Sequence, residues 1–418
     1  MLVAAKPDVQ AREVPAQTAR TLQAVVSRPA FAEMRTVLEA SIRGVERWVE
    51  DHDYKGYEPF DGLSSSLRPW TCGNLLLERL LLQLIRQSPV NLRPLLGVKP
   101  LDSTKGRGYM ASGYLTMLKA TGDRRYAERA VRCLEWLIGH KSPKFPQFTW
   151  ANHFDFASRG GRYSRDEPIV VWTALVGQAF LDAYECLDEP RYLEVAESVC
   201  EWILALPRER TDSGACISYH ALFQSSIHNA NMLAAAMLAR TARVTGNPRA
   251  RAVAAEAMEY SCSRQLQDGS WYYAVDPRFH WIDNFHTAYN LDSLKCYIDN
   301  SGDSRYTGHL RRGFDFWTRT FFDAVGRPKY YHDRLYPIDS QCTAQAIETL
   351  ANFAGYDDVS LPLGHKVAAW TIANMQDPKG YFYYRRYPLL TARTPMLHWA
   401  QATTYKGLSA LLLKTTAR

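Results

Sequence analysis

The stretch HWIDNFHTAYNLDSL begins at His280 and places Trp281, Asp283, Asn284, His286 and Thr287 within seven consecutive residues, directly before a run with helical periodicity. A carboxylate and an imidazole three positions apart share one face of a helical turn. Asp283 and His286 are each candidates for an acid or base toward a bound molecule, beside any part in starting the helix. Asp is also a good N-cap, and Asp339 holds the same place before SQCTAQAIETLANF. Capping alone needs one short oxygen-bearing side chain and leaves Trp281 and His286 unexplained.

Clusters of the same kind fill the other long connections. KFPQFTWANHFDFASRGGRYSRDEP carries Trp150, His153, Asp155 and Arg159, and DSGACISYHALFQSSIHN ends on His228 and Asn229. QDGSWYYAVDPRFHWIDN adds Trp271 and Tyr273, and DAVGRPKYYHDRLYPID adds Lys329, Tyr331, Asp333 and Tyr336. QDPKGYFYYRRYPLLTARTPMLHW brings Tyr384, Arg385, Arg393 and Trp399.

Two chemistries fit these residue types. Glycoside hydrolysis needs two carboxylates flanking a scissile bond, and Asp155, Asp283, Asp333 and Asp339 are available. A lyase or C5-epimerase needs a base to take the proton α to a uronate carboxylate, and cations to hold the charge that develops. His153, His286, Tyr331 or Tyr384 suit the base, and Arg159, Arg385 and Arg393 suit the cations. Trp150, Trp271, Tyr273, Trp281, Tyr336 and Trp399 would stack on sugar rings, while His228, Asn229 and Lys329 would bond hydroxyls or carboxylates. The same rings can instead pin their loops by burial.

Such clusters need a scaffold that carries them to one place, and the turns outline it. KATGDRRYAERA, CLDEPRYLEVA, VTGNPRARAVA and NSGDSRYTGHL repeat one punctuation, with Arg125, Arg191, Arg249 and Arg305 in register; FAGYDDVSL at Phe353 is a degenerate fifth copy. Each copy stops a helix with Gly, Asp or Asn and starts another at once, as a tight helical corner does. Segments before the corners are apolar with small residues, and those after them are amphipathic. That is the pattern of an inner and an outer ring of helices. Inner segments are expected near 109–120, 171–185, 228–243, 286–299, 341–354 and 398–414, with MRTVLEASIRGVERWVE at Met34 as a further outer helix.

The fold expected is therefore all-α, an (α/α)6 toroid over residues 31–418 as one domain, with residues 1–30 as an N-terminal extension. NLLLERLLLQLIRQ is a short additional helix in a long N-terminal insert. The corners take about four residues, whereas the returning connections run on the order of 20 to 30, long enough to carry function. Several begin with Gly and an aromatic-rich stretch, which suggests short β-arms on one face.

Composition sets outer bounds. The chain has 418 residues, 46% of them hydrophobic and 22% charged, as soluble globular proteins do. Its net charge of +7 is scattered with no basic block, which argues against a nucleic-acid arm and fits an acidic small molecule or glycan. Eight cysteines stand singly with no CxxC pair, so neither a zinc framework nor a disulfide scaffold is expected, and no metal or cofactor is called for. The first residues lack an apolar signal core, and no apolar run nears the roughly 18 residues that a transmembrane helix needs. A cytoplasmic protein without a transmembrane segment is expected.

Taken together, YKGYEPFDGL at Tyr54, NHFDFASR at Asn152, IHNANML at Ile227, GSWYY with WIDNFHTAYNL, GRPKYYHDRLYPIDSQCTAQAI and MQDPKGYFYYRR carry a family likeness. Over nearly its whole length the chain resembles a family of prokaryotic α/α-toroid proteins from exopolysaccharide and surface-polysaccharide gene clusters. More distantly it is similar to six-hairpin glycosidases, uronate lyases and epimerases. The resemblance implies a carbohydrate-active enzyme of polysaccharide metabolism whose substrate is an oligo- or polysaccharide, acidic or uronate-containing. No catalytic signature of a named glycosidase family accompanies it, so no residue role is carried over. The alternative is a non-catalytic glycan-binding or scaffold protein of a polysaccharide assembly system, which would need the aromatics but no titratable pairs. A terpenoid-processing toroid is a third class, suggested by the GSW arms; the charged loop ends argue against it.

Overall fold

The computed structural model describes residues 28–416. Residues 1–27 of the expected N-terminal extension lie outside the described residues, and positions 28–30 already belong to the first helix, α1 (Arg28–Asp51). After α1 and the small helix α2 (Leu75–Gln87) come six inner helices: α3 (Thr104–Thr121), α5 (Val170–Leu187), α7 (His228–Thr245), α9 (Asn284–Ser301), α11 (Ser340–Asn352) and α13 (Thr403–Thr416). The outer helices are α4 (Arg125–Gly139), α6 (Pro190–Ala205), α8 (Pro248–Cys262), α10 (Thr307–Phe321) and α12 (Ser360–Met375). Each inner helix packs on the next, α13 packs back on α3, and α1 completes the outer layer against α13 and α12. The chain is an all-α (α/α)6 toroid.

Residue type decides which ring a helix joins. In α7 every residue from His228 to Ala242 except Arg240 is buried, because a helix surrounded by helices has no wet face. In α4 the buried residues are Tyr126, Ala130, Cys133, Leu134 and Leu137, a single stripe at helical spacing. Gly122, Gly246 and Gly302 end their inner helices at φ of 71°, 72° and 70°, the left-handed cap that lets the chain reverse within a few residues. Asp188 takes the same conformation at the second corner.

All inner helices run from the long connections to the corners, so their N-termini gather at one end of the ring. Small antiparallel arms stand there: β1 (Lys55–Gly56) with β2 (Leu101–Asp102), β3 (Phe156–Ser158) with β4 (Gly161–Tyr163), and β5 (Arg208–Thr211) with β6 (Gly214–Ile217). A three-stranded sheet joins β7 (Ile338–Asp339), β8 (Arg385–Arg386) and β9 (Thr391–Ala392), with Asp339 opposite Arg385. Four connections are strapped to the outer helix of the following hairpin through a positive-φ glycine: Gly214 on α8, Gly269 on α10, Gly326 on α12 and Gly380 on α1. At Gly269 a Cβ would stand 2.3 Å from the Arg312 carbonyl oxygen, so only glycine fits.

Two boundaries depart from expectation. Helix α3 starts at Thr104 rather than near 109, because Lys105 and Arg107 are buried inside the protein instead of marking a wet loop. Helix α13 is preceded by a π-helical turn, Leu397–Ala402. Among the described residues no helix is long and apolar enough to cross a membrane. All eight cysteines are unpaired.

Candidate active site

The six inner-helix N-termini open into a cleft of about 1620 Å³. Its walls come from the long connections and from α2. Helix N-termini carry partial positive charge, so this end of the ring favours anionic groups before any side chain is counted.

Asp283 organises one wall. It is buried, caps α9 through its Oδ1, which accepts the His286 N–H at 3.0 Å, and so fixes the start of the helix. Its Oδ2 accepts from His286 Nδ1 at 2.6 Å and from the Trp281 indole N–H at 3.0 Å. One carboxylate thus sets helix, imidazole and indole together, leaving His286 Nε2 free of protein partners among the described residues. Trp281 stacks on Tyr273 with ring centroids 4.6 Å apart and planes 11° apart, and both rings line the cleft. A half-buried aromatic pair of this kind suits a sugar face.

Asp339 repeats the device two hairpin elements later. It caps α11 by accepting from Gln341 N at 2.9 Å, and accepts from the Trp399 indole at 2.7 Å and from Arg385 Nε at 2.5 Å. Asp339 itself is fully buried and does not line the cleft; Arg385 and Trp399 do. Tyr384 lies behind them, also buried, its hydroxyl accepting from Arg86 Nε at 3.2 Å. Arg86 reaches the cleft from α2 and makes no ion pair among the described residues.

A second imidazole faces the same space. His398 lies in the π-helical turn before α13, and its Nδ1 donates to the Oε2 of Glu58, which is fully buried. Lys105, at the start of α3, lines the cleft beside them. Burial would raise the Glu58 carboxyl, but the attraction of His398 and Lys105 outweighs it and holds the group at about 2. Burial pushes His398 down to about 4, so it is neutral near pH 7 with Nε2 unprotonated. Burial also lowers Lys105 to about 8, against the pull of Glu58, and His153 to about 4. His153 belongs to this cluster electrostatically but does not line the cleft.

The two histidines are joined by rings. Phe285, next to His286, meets Trp399, next to His398, edge to face at 5.6 Å, and both rings form the floor of the cleft. Gln341 and Asn229 also line it, and their side-chain oxygens have no protein partner, as acceptors awaiting hydroxyl donors would. Tyr331, Arg159 and Asp333 lie on the rim, Asp333 paired with Arg334 at 3.0 Å. Among the described residues no three His, Cys, Asp or Glu side chains converge as metal ligands.

The remaining expected residues lie elsewhere. The indole N–H groups of Trp150 and Trp271 are donated to Leu137 O at 3.0 Å and Ser261 O at 2.8 Å, carbonyls in the last turns of α4 and α8. Both rings are buried there and satisfy helix ends that would otherwise lack partners. His228 is buried against Ser261 Oγ at 3.2 Å. Asp155 is held by Arg68 at 2.6 Å and by Arg165 N, outside the cleft. Lys329 and Tyr336 are half-buried without lining it, and Arg393 is exposed over the Tyr383 ring.

Glu58, Lys105, Arg86, Gln341 and His398 were not singled out as site residues from the sequence. One signal pointed to His398: the dipeptide His-Trp precedes an inner helix twice, at His280 and at His398. Glu58 lies in the N-terminal insert, which has no counterpart in the repeats, so periodicity does not reach it.

No protein-family model and no curated protein sequence matches the chain. Solved structures do match in fold. Cellobiose 2-epimerase from Spirochaeta thermophila superposes with a TM-score of 0.65 at 11% identity, covering 94% of this chain and 99% of that one. An unsaturated glucuronyl hydrolase specific for heparin gives 0.61 at 13%, covering 91% and 96%. An α-mannanase of glycoside hydrolase family 76 from Bacteroides thetaiotaomicron gives 0.59 at 11%, covering 74% and 86%. What this chain shares with all three is the six-hairpin (α/α)6 toroid of glycosidase-like enzymes.

Proposed function

We propose that the protein is a carbohydrate-active enzyme that removes and returns a proton at a carbon next to a carboxylate or carbonyl of an anionic saccharide, an epimerase-type reaction. The observation that carries this is a pair of imidazoles in one cleft, His286 and His398, each tied through Nδ1 to a buried carboxylate, Asp283 and Glu58. Neutral His398 takes the proton at Nε2, the electron pair left on carbon delocalises onto the adjacent carboxylate, and His286 delivers a proton from its own side. In the reverse direction the roles exchange. Lys105, Arg86 and Arg385 hold the charge that develops.

The placement favours proton transfer at carbon over hydrolysis. Hydrolysis needs two carboxylates facing the scissile bond, whereas the acids lining the cleft are already engaged: Asp283 by His286 and Trp281, Glu209 by Tyr260, Asp276 by Arg278 and Asp333 by Arg334. The epimerase and the glucuronyl hydrolase of like fold support a sugar substrate, and the latter supports an acidic one. The resemblance in sequence to toroid proteins of surface-polysaccharide clusters supports a uronate-containing oligo- or polysaccharide of exopolysaccharide metabolism.

The test is incubation with uronate-containing and neutral glycans in deuterated water. Proton nuclear magnetic resonance should show deuterium entering the uronate ring as the epimer forms, and a group leaving from the neighbouring carbon would give an ultraviolet-absorbing unsaturated product instead. Chain cleavage with water added and no deuterium on carbon, undiminished in His286→Gln and His398→Gln, would return the site to hydrolysis.

A further inference from the structure

The floor of the cleft holds a hydroxyl hydrogen that no protein group accepts. Tyr109 from α3 and Tyr289 from α9 both line the cleft, and their hydroxyl oxygens meet at 2.7 Å. The pair carries two O–H hydrogens, and the bond between the oxygens uses one. Gln341 Nε2 donates to the Tyr289 oxygen at 2.9 Å, so it takes up neither. The two hydroxyls make no further bond among the described residues. One O–H is left over on side chains only 7% and 6% exposed, where an unmade bond is costly unless a ligand accepts it.

A role in packing alone leaves the hydroxyls unexplained. Helices α3 and α9 stand opposite each other in the toroid, with α5 and α7 between them on one side and α11 and α13 on the other, so the tyrosines meet across its middle. Phenylalanines would close that opening with no hydroxyl to desolvate. The placement is also that of the chemistry. Tyr289 follows His286 by three positions and Tyr109 follows Lys105 by four, so each lies one helical turn below a group assigned to the reaction. Burial raises the Tyr109 phenol to about 12 and the Tyr289 phenol well above its usual value, so both keep their protons at neutral pH and serve as donors.

We propose that the Tyr109–Tyr289 pair is a further catalytic element, giving its spare O–H to the substrate oxygen that gains charge when carbon is deprotonated. This rests on the epimerase-type reading above. As His398 takes the proton from carbon, the electron pair of the broken C–H bond moves onto the adjacent carboxylate or carbonyl oxygen. The phenol's hydrogen bond to that oxygen strengthens as charge builds, and the phenol keeps its proton. When His286 delivers its proton, the electron pair returns to carbon as the new C–H bond.

The test is Tyr109→Phe, Tyr289→Phe and the two combined, all of which keep the rings, with deuterium entry into uronate oligosaccharides followed by nuclear magnetic resonance over a range of substrate concentrations. The combined variant should lose about 100-fold or more in kcat, the order expected for one oxyanion donor, with KM within about threefold of the parent. Each single variant leaves a hydroxyl without the partner that directs it and should lose about tenfold or more. Circular dichroism should be unchanged. A kcat equal to the parent's in both single variants overturns the proposal, and decides the matter even where the combined variant does not fold. A raised KM with kcat unchanged also overturns it, since the pair would then bind substrate and intermediate alike. Absence of deuterium entry with the parent overturns the reaction itself and this role with it, whereas entry that persists undiminished in the variants overturns this role alone.

Discussion

Glu58 and His398 are 340 positions apart in the chain and share a buried hydrogen bond under the floor of the cleft. The bond fixes the tautomer of His398: with Nδ1 carrying the donated proton, Nε2 is the basic nitrogen turned to the substrate. Glu58→Gln keeps an acceptor of the same shape but removes the charge that steadies an imidazolium during turnover. Activity should fall by about 100-fold or more, with a smaller loss in stability of about 1–3 kcal/mol for the imperfectly satisfied buried groups. Parallel measurement of kcat and denaturant midpoint separates the two effects, and an unchanged kcat would place His398 outside the reaction.

Asp283→Asn and His286→Gln probe the other imidazole. Asn caps a helix about as well as Asp, so α9 should keep its start and stability should change by about 1 kcal/mol or less. Both variants should nonetheless lose most activity, because Asn cannot supply the carboxylate at 2.6 Å from His286 Nδ1 and the Gln amide cannot act as a proton donor or acceptor in catalysis. A loss of activity that only tracks unfolding would reduce this stretch to a capped helix entrance.

Substrate charge should be read by Arg86. It has no carboxylate to strand, in contrast to Arg385, whose removal would leave Asp339 buried and uncompensated. Arg86→Gln should raise KM for uronate oligosaccharides about tenfold, the order expected for one partly desolvated ion pair, and leave any neutral analogue unaffected. Equal loss on both would show that Arg86 serves the fold.

Histidine burial predicts an acid limb of stability. Burial lowers His228 from 6.5 to about 4, and nearby Arg264 adds to this. Between those values the unfolded chain holds more protons than the native one, so stability falls as pH drops through that window. His228→Asn, which can keep a polar atom near Ser261, removes the titration. The stability difference between parent and variant should shift by about 3 kcal/mol against the parent between pH 7 and pH 4. A difference independent of pH would mean that His228 titrates with the same pKa in the folded and unfolded states.

The architecture was legible because corners are local. A left-handed residue, a helix stop and a helix start fall within a few positions, so Gly122, Gly246 and Gly302 could be read directly. Asp283 and His286 were legible as site candidates because they crowd with Trp281 at one helix entrance, although the bond between them was not read from the sequence. The Glu58–His398 bond was not, because nothing local marks a partner so distant. Trp150 and Trp271 looked like sugar platforms from their place in long aromatic connections, but their indoles are used to finish outer helices. Sequence shows that a ring is in a loop; whether it faces in or out depends on which carbonyl lacks a partner.

The strap between Gly380 and Gly44, reinforced by Ser41 donating to Gln376 Oε1 at 2.8 Å across 335 positions, joins the last long connection to the first outer helix. A solenoid can shed or gain an end repeat, because each unit touches only its neighbours in sequence. A closed ring cannot: removing one hairpin leaves two mismatched faces and a curvature that no longer meets itself. Joining such distant parts also demands a large loop closure, which makes ring completion a non-local and slow event in folding. Duplication and deletion of units are thus barred as routes of change, and divergence is channelled into the lengths and residues of the connections at the cleft end.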